Sequence, residues 1–200
     1  MRKAGVHRNG TIFFKSVQLL AYADDVDIIG RTKRDVTAAF SAIERESAKM
    51  GLVVNEGKTK YMLSSCRGTR RIGTEVSCDS YAFDVVEEFI YLGTAINANN
   101  DVSLEIKRRV TLANRCYFGL NKQLRNRDLS RATKLTLYKT LILPVLLYGA
   151  EAWTLTRNDA AVLRVFERKV LRKIFGPLRV GDDFRIRPTM SCMSFITTWT

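Results

Sequence analysis

Two hundred residues, 46% hydrophobic and 26% charged, suit a globular chain with one sizeable core or two small ones, and exclude a wholly disordered one. The net charge of +13 is lopsided: residues 1–100 carry 14 Lys+Arg against 12 Asp+Glu, and residues 101–200 carry 19 against 8. A basic half beside a nearly neutral half points to a polyanion partner, nucleic acid first, with a merely basic soluble surface as the alternative.

Cys66, Cys78, Cys116 and Cys192 are scattered, and the single His7 cannot complete a zinc set with them. Reduced thiols in an intracellular protein are expected, with nucleus and cytoplasm both open. The basic start Met1-Arg2-Lys3 has no apolar segment behind it, so no secretion signal is expected. The charge-free run Thr140–Ala150 is too short to span a bilayer, so no membrane role is expected.

Residues 1–10 are polar, and Gly10–Lys15 reads as a short strand or turn. From Val17 to Ile29, strand-forming residues flank Tyr22-Ala23-Asp24-Asp25. A strand interior does not accept two adjacent charges, so the pair predicts a bend between two short strands. Two carboxylates on such a tip can hold a divalent cation, and oxygen ligands suit Mg²⁺.

Thr32 and Asp35 form a capping box, and a helix follows with Val36, Phe40, Ile43, Ser47 and Met50 on one face and Gly51 as its stop. Leu52-Val53-Val54 reads as a short buried strand, Asn55-Glu56-Gly57 as a turn, and Lys58–Leu63 as a further strand. Residues 66–80, with Arg67, Arg70 and Arg71, read as a surface loop or weak hairpin. Phe89–Thr94 reads as a strand ending in a glycine turn at Leu92-Gly93.

The period then changes, which sets a domain boundary near Asn97–Asp101. Ile106, Val110, Ala113, Tyr117, Leu120 and Leu124 predict one long amphipathic helix, with Lys107, Arg108, Arg109 and Arg115 largely off its apolar face. A second helix begins after Ser130, buries Leu135, Tyr138, Ile142, Val145 and Tyr148 or Gly149, and is kinked or split by Pro144. A third starts at the capping box Thr156/Asp159 and turns Leu163, Phe166, Val170 and Ile174 inward. Arg164, Arg168, Lys169, Arg172 and Lys173 form its basic side, and Gly176-Pro177 stops it.

The order of these features carries a resemblance. Tyr22-Ala23-Asp24-Asp25 between apolar strands resembles motif C of the reverse transcriptases. The helix, Gly-Leu, Asn and Lys-Thr-Lys series that follows resembles motif D of the non-LTR (LINE-type) retrotransposon enzymes. Phe89–Thr94 resembles motif E, the primer grip, and Tyr148-Gly149-Ala150-Glu151-Ala152-Trp153 resembles the family's Tyr-Gly-x-Glu-x-Trp. The likeness runs from about Leu19 to Pro177.

It implies an α+β chain: part of a polymerase palm over residues 1–100, made of short antiparallel strands with a helix, then an all-helical basic thumb over 101–178. An irregular tail fills 179–200; back-translated and shifted by two bases it can encode a string of the family's kind, so a frameshifted remnant stands beside an ordinary C-terminus. The implied activity is RNA-directed DNA polymerisation, with an RNA template, a DNA primer, dNTPs and Mg²⁺ or Mn²⁺. Asp24 is then a direct metal ligand and Asp25 a second ligand or a support. Lys58 meets the leaving pyrophosphate, with Lys60 as the alternative. Tyr22, Leu92, Gly93, Lys107, Arg108, Arg168, Lys169 and Arg172 contact primer or duplex.

The family also uses a metal-binding Asp in an earlier motif A and a Gly-Gln-Gly-type motif B, and neither fits into the 18 residues before Leu19. The expectation is therefore a piece that does not polymerise alone, with a non-catalytic nucleic-acid-binding remnant as the alternative and the oligomeric state open.

Overall fold

Residues 17–64, 73–180 and 183–185 are described by the computed structural model, a mixed α+β chain of short strands and helices. It divides into two compact units, Met1–Phe89 and Ile90–Thr200, each with its own core. The expected Gly10–Lys15 strand, Cys66, the Arg67/Arg70/Arg71 cluster and residues 186–200 with Cys192 lie outside the described residues.

In the first unit, β1 (Gln18–Tyr22) and β2 (Asp25–Ile29) pair antiparallel from Gln18↔Ile29 to Tyr22↔Asp25. Helix α1 (Lys33–Ala48) starts where the capping box predicts: the Thr32 hydroxyl oxygen accepts from the Asp35 N–H at 3.2 Å. Gly51, at φ +74°, turns the chain after the helix. Leu52–Val54 is not the expected buried strand, and Val53 is 87% exposed. The Leu52 N–H is drawn back to the Ser47 carbonyl, and among the described residues no strand pairs with the segment.

Strand β3 is only Lys60–Tyr61, parallel to β5 (Tyr81–Val85), and β4 (Glu75–Cys78) pairs antiparallel with β5 on its other side. The described part of 66–80 thus takes the hairpin alternative, and it buries Val76 and Cys78. Phe83 joins them, and the Phe40 ring meets Phe83 and Tyr81 edge-on at 5.0 and 5.6 Å. Burial pushes the Cys78 thiol's pKa up.

The second unit begins inside a hairpin of β6 (Glu88–Tyr91) and β7 (Thr94–Asn97). Helix α2 (Val102–Gly119) follows, with Asp101 as its N-cap. The predicted single helix through Leu124 is interrupted at Leu120 and resumes as α3 (Asn121–Arg125). Ile106, Ala113, Tyr117 and Leu124 are buried as expected; Arg109, expected off that face, is buried too, together with Glu105.

Ser130 caps α4 (Arg131–Leu137), which runs through a π-helical turn (Tyr138–Ile142) into α5 (Leu143–Leu147). The Leu143 N–H reaches back to the Tyr138 carbonyl. This widened turn accommodates Pro144, whose ring has no N–H for an ordinary helical bond.

The helix ends at Leu147, and Tyr148 is exposed rather than buried. Helix α6 (Arg157–Phe175) opens on a reciprocal Thr156/Asp159 capping box and buries Leu163, Phe166, Val170 and Ile174 as expected, with Glu167 and Leu171 added. Packed with α2, α3 and the α4–α5 segment, it forms one continuous apolar core.

The expected irregular tail begins with order: β8 (Leu178–Val180) pairs antiparallel with β9 (Asp183–Arg185). Strands of three residues show no side-chain period long enough to read from sequence.

Candidate functional site

The residues singled out from the sequence fall into two groups, one in each unit. In the first, Ala23 and Asp24 form the two-residue turn between β1 and β2. Ala23 has φ +52° and is the only turn residue there with a positive φ, a pattern that favours glycine at its first position. Alanine in that basin costs roughly 1–2 kcal/mol, so the tip stores a little strain.

Asp24, Asp25 and Tyr22 are all exposed. Leu20, Tyr22, Asp25 and Asp27 share one face of the ladder, because residues directly paired across it point the same way. Asp27 is half-buried, and desolvation raises its carboxyl pKa against a smaller lowering by the Ile28 N–H. Among the described residues no group of three or more His, Cys, Asp or Glu is arranged to hold a metal ion. Asp24 and Asp25 are chemically suited oxygen donors that would form part of such a set.

Lys58 and Lys60, expected on one strand face, are separated in role. Lys58 lies exposed in a turn built by Asn55, whose side-chain oxygen accepts the Lys58 N–H at 3.1 Å. Lys60 lies in β3, and its ammonium pairs with Asp84 at 2.5 Å. The same turn is braced on β5, where Glu56 accepts the Ala82 N–H at 2.7 Å. Lys58 is thus the freer of the two amines for an anionic ligand.

In the second unit, Leu92 (φ +46°) and Gly93 (φ +79°) form the turn of the β6–β7 hairpin. Two consecutive positive φ values are the type I′ pattern, whose twist matches that of the strands. The Tyr148 hydroxyl donates to the Leu92 carbonyl at 2.8 Å. The Gly93 carbonyl accepts from Arg108 at 2.8 Å and also from Arg109.

Behind the turn, Glu105 is almost fully buried. It accepts the Ala95 N–H at 2.8 Å, pairs with Arg109 and stands 3.3 Å from Arg108. The Arg109 guanidinium also lies 4.4 Å from the centre of the Tyr148 ring. A buried carboxylate is tolerable only with such a set of donors.

Of the other basic candidates, Lys107 is exposed. Lys169 donates to Asn114 at 2.8 Å and sits 4.9 and 4.8 Å from the Tyr117 and Phe118 ring centres, which ties it to α2. Arg168 is half-exposed and reaches back to the Arg164 carbonyl. Arg172 is exposed in the last turn of α6.

Sequence reasoning did not single out Glu105, Arg109 or the function of Tyr148. The one local signal was the i, i+4 spacing of Glu105 and Arg109; the rest of the cluster joins residues far apart in the chain. No helix among the described residues is long and apolar enough to cross a membrane.

No family profile matches the chain, and no solved structure matches it. Over 157 residues it is 27% identical to a Caenorhabditis elegans protein described as uncharacterized and transposon-derived; the match covers 78% of this chain. The matched region spans 56% of that protein's length. The similarity supports a transposable-element origin for the chain.

Proposed function

We propose that the chain is part of the reverse transcriptase of a non-LTR retrotransposon, holding a portion of the catalytic palm and a thumb-like helical region. The observation that carries this is the tight β1–β2 turn, which puts Asp24 in an exposed turn and Asp25 beside it at the exposed head of β2. The type I′ hairpin at Leu92-Gly93 and the basic helices after it support the same reading, as does the likeness to a transposon-derived protein.

Asp24 and Asp25 would hold part of the metal set, with further carboxylates supplied from elsewhere in a longer polypeptide. The metal that Asp24 and Asp25 would help to hold, Mg²⁺ by its preference for oxygen ligands, would supply charge stabilisation for phosphoryl transfer. Lys58, exposed at its turn, would meet the negative charge that develops on the departing pyrophosphate, while Lys60 is held by Asp84. The exposed cations of α2 and α6 would follow the phosphates of the primer–template duplex.

A second reading keeps the origin and drops the chemistry: a nucleic-acid-binding remnant. The exposed cations Lys107 of α2 and Arg172 of α6, which need no metal to meet phosphates, favour it for the isolated chain. Two measurements separate the readings. Line broadening by Mn²⁺ at residues 22–26, lost in Asp24→Ala, supports a retained metal subsite. Duplex binding that survives Asp24→Ala but is lost when Arg168, Lys169 and Arg172 are reversed in charge, without any Mn²⁺ effect at the tip, supports the remnant. Failure to bind either Mn²⁺ or duplex refutes both.

A further inference from the structure

Two stretches of the second unit place a pair of arginines shortly before a hydroxyl: Arg108-Arg109-Val110-Thr111 and Arg125-Asn126-Arg127-Asp128-Leu129-Ser130. The sequence does not choose between them, and the structure does. Thr111 lies inside α2, and its hydroxyl donates to the Lys107 carbonyl at 2.9 Å. Arg109 is buried, and both arginines are committed to Glu105 and the Gly93 carbonyl. A partner that reads side chains finds no free guanidinium pair there.

The second stretch is open along its length. Arg125 closes α3 and Ser130 caps α4; both are exposed, as are Asn126, Arg127 and Asp128, and only Leu129 is half-buried. The backbone is extended at both ends of the connection, with φ −59° and ψ 130° at Asn126 and φ −62° and ψ 154° at Ser130. The Asp128 N–H donates to the Asn126 side chain at 2.9 Å, and the Ser130 oxygen accepts the Thr133 N–H at 3.1 Å. Among the described residues no carboxylate pairs with Arg125 or Arg127. Residues 122–134 carry five Lys+Arg against the single Asp128. Lys173 of α6 adds to them, its pKa lowered by burial and then by the Arg125 guanidinium.

We propose that Ser130 is a phosphorylation site, modified by a serine/threonine kinase whose peptide groove carries carboxylates for arginines three and five residues before the acceptor, and that the phosphate weakens the hold of this basic face on nucleic acid. Arg127 and Arg125 stand at those two places, and guanidinium–carboxylate pairing gives such a groove both energy and register. ATP supplies the phosphoryl group. The Ser130 oxygen forms a bond to the γ-phosphorus, the bond from that phosphorus to the β–γ bridging oxygen breaks, ADP leaves, and the hydroxyl proton passes to a carboxylate of the kinase. The product carries a charge of about −1.5 to −2, close in the chain to Arg127 and Arg131. Cations that pair with this internal anion are withdrawn from a nucleic-acid backbone. The acceptor assignment stands by itself; the weakening rests on the nucleic-acid-binding reading given above.

The test incubates the full chain with ATP and a recombinant kinase of that preference, and reads the site by peptide mass spectrometry. One phosphate at Ser130 is expected, with Thr111 unmodified, and Ser130→Ala is expected to abolish it. Arg127→Ala and Arg125→Ala change exposed side chains and keep the fold. Each is expected to slow the modification by about tenfold or more, the loss of one charge-assisted pair. Label that falls first on Thr111 or elsewhere, a Ser130 left unmodified, or a rate that ignores both arginines overturns the assignment.

Fluorescence anisotropy with a fluorescein-labelled RNA–DNA hybrid then compares the modified and unmodified chains. The modified chain is expected to bind about tenfold more weakly at about 0.1 M salt, the effect of roughly one lost phosphate contact. Kinase-treated Ser130→Ala is expected to bind as it does untreated. Equal binding by the modified and unmodified chains overturns the weakening and leaves the nucleic-acid reading in place. An unmodified chain that does not bind the hybrid overturns the weakening and the reading beneath it together, while the mass spectrum alone decides the site at Ser130.

Discussion

The hydroxyl of Tyr148 meets the carbonyl of Leu92 at 2.8 Å, across 56 residues of chain. That reach depends on the backbone of the next residue, because Gly149 sits at φ +75° and has the Thr94 oxygen close against it. Gly149→Ala removes no contact, so its effect isolates the backbone and the crowding. The expected loss is about 1–2 kcal/mol, the penalty for an L side chain in the left-handed basin. Thermal unfolding followed by circular dichroism reads it as a midpoint drop of roughly 4–8 °C per kcal/mol for a unit of this size. An unchanged midpoint would mean that the Tyr148 segment is not held in this geometry.

Two carboxylates of α6 give its unit opposite responses to acid. Asp159 is buried in the capping box, and its pKa is held down first by the Thr156 hydroxyl and opposed by desolvation. A folded pKa below the unfolded one means stability that is present above the unfolded value and is lost as pH falls through the folded value. Glu167 is raised by desolvation, so folding favours its protonated form. The stability it gains on protonation is lost again as pH rises through its folded pKa.

Glu167→Gln is therefore expected to stabilise the chain at neutral pH and to matter less in acid. Asp159→Asn should destabilise it at neutral pH, by about 0.5–2 kcal/mol as for other lost caps, and flatten the acid limb. Urea unfolding of both variants between neutral pH and pH 3 checks the signs. Parallel curves for wild type and variants would refute the assignment.

The basic candidates on α6 are not equivalent. Arg172 is exposed, whereas Lys169 is bound to Asn114 and the rings of Tyr117 and Phe118. On the nucleic-acid reading, Arg172→Glu should lower the slope of log K against log salt by about 0.9 per lost phosphate contact, with little change in stability. Lys169→Glu should act differently: it breaks α2–α6 contacts and lowers the unfolding midpoint as well as affinity. Salt titrations paired with melting curves separate the two effects. Equal stability losses in both variants would refute the distinction.

What could be read from the sequence was local. Both hydroxyl–carboxylate boxes, Thr32/Asp35 and Thr156/Asp159, mark real helix starts because their partners lie three residues apart. The inward face of α6 followed from its period alone. Arg109 was expected off the apolar face of α2 and is buried, because what holds it there is the Gly93 carbonyl and the Tyr148 ring, both remote in sequence. Leu52–Val54 has strand composition, but a strand exists only where a neighbour accepts its ladder, and composition does not report neighbours. Although Asp25 opens β2 rather than sharing the turn, the bend at Asp24 was legible as geometry. Its chemistry depends on ligands that spacing within one hairpin does not supply.

That hairpin also exposes apolar surface on both of its faces. Leu20, Tyr22 and Ile29 lie on one side and Val26 on the other; Tyr22 is 68% and Val26 45% exposed. A two-stranded ladder is marginal in water without further packing, and exposed strands with apolar side chains invite pairing between molecules. The double substitution Val26→Thr and Ile29→Thr keeps β-branched side chains, and so the ladder, while removing apolar surface. It is expected to reduce dye binding by exposed apolar patches and to raise the concentration at which the chain self-associates in sedimentation. The unfolding midpoint should stay nearly constant, because surface changes of this kind are usually worth within about 0.5 kcal/mol. A large fall in stability would instead mean that these side chains are packed in solution, under cover beyond the packing of α1 on β2.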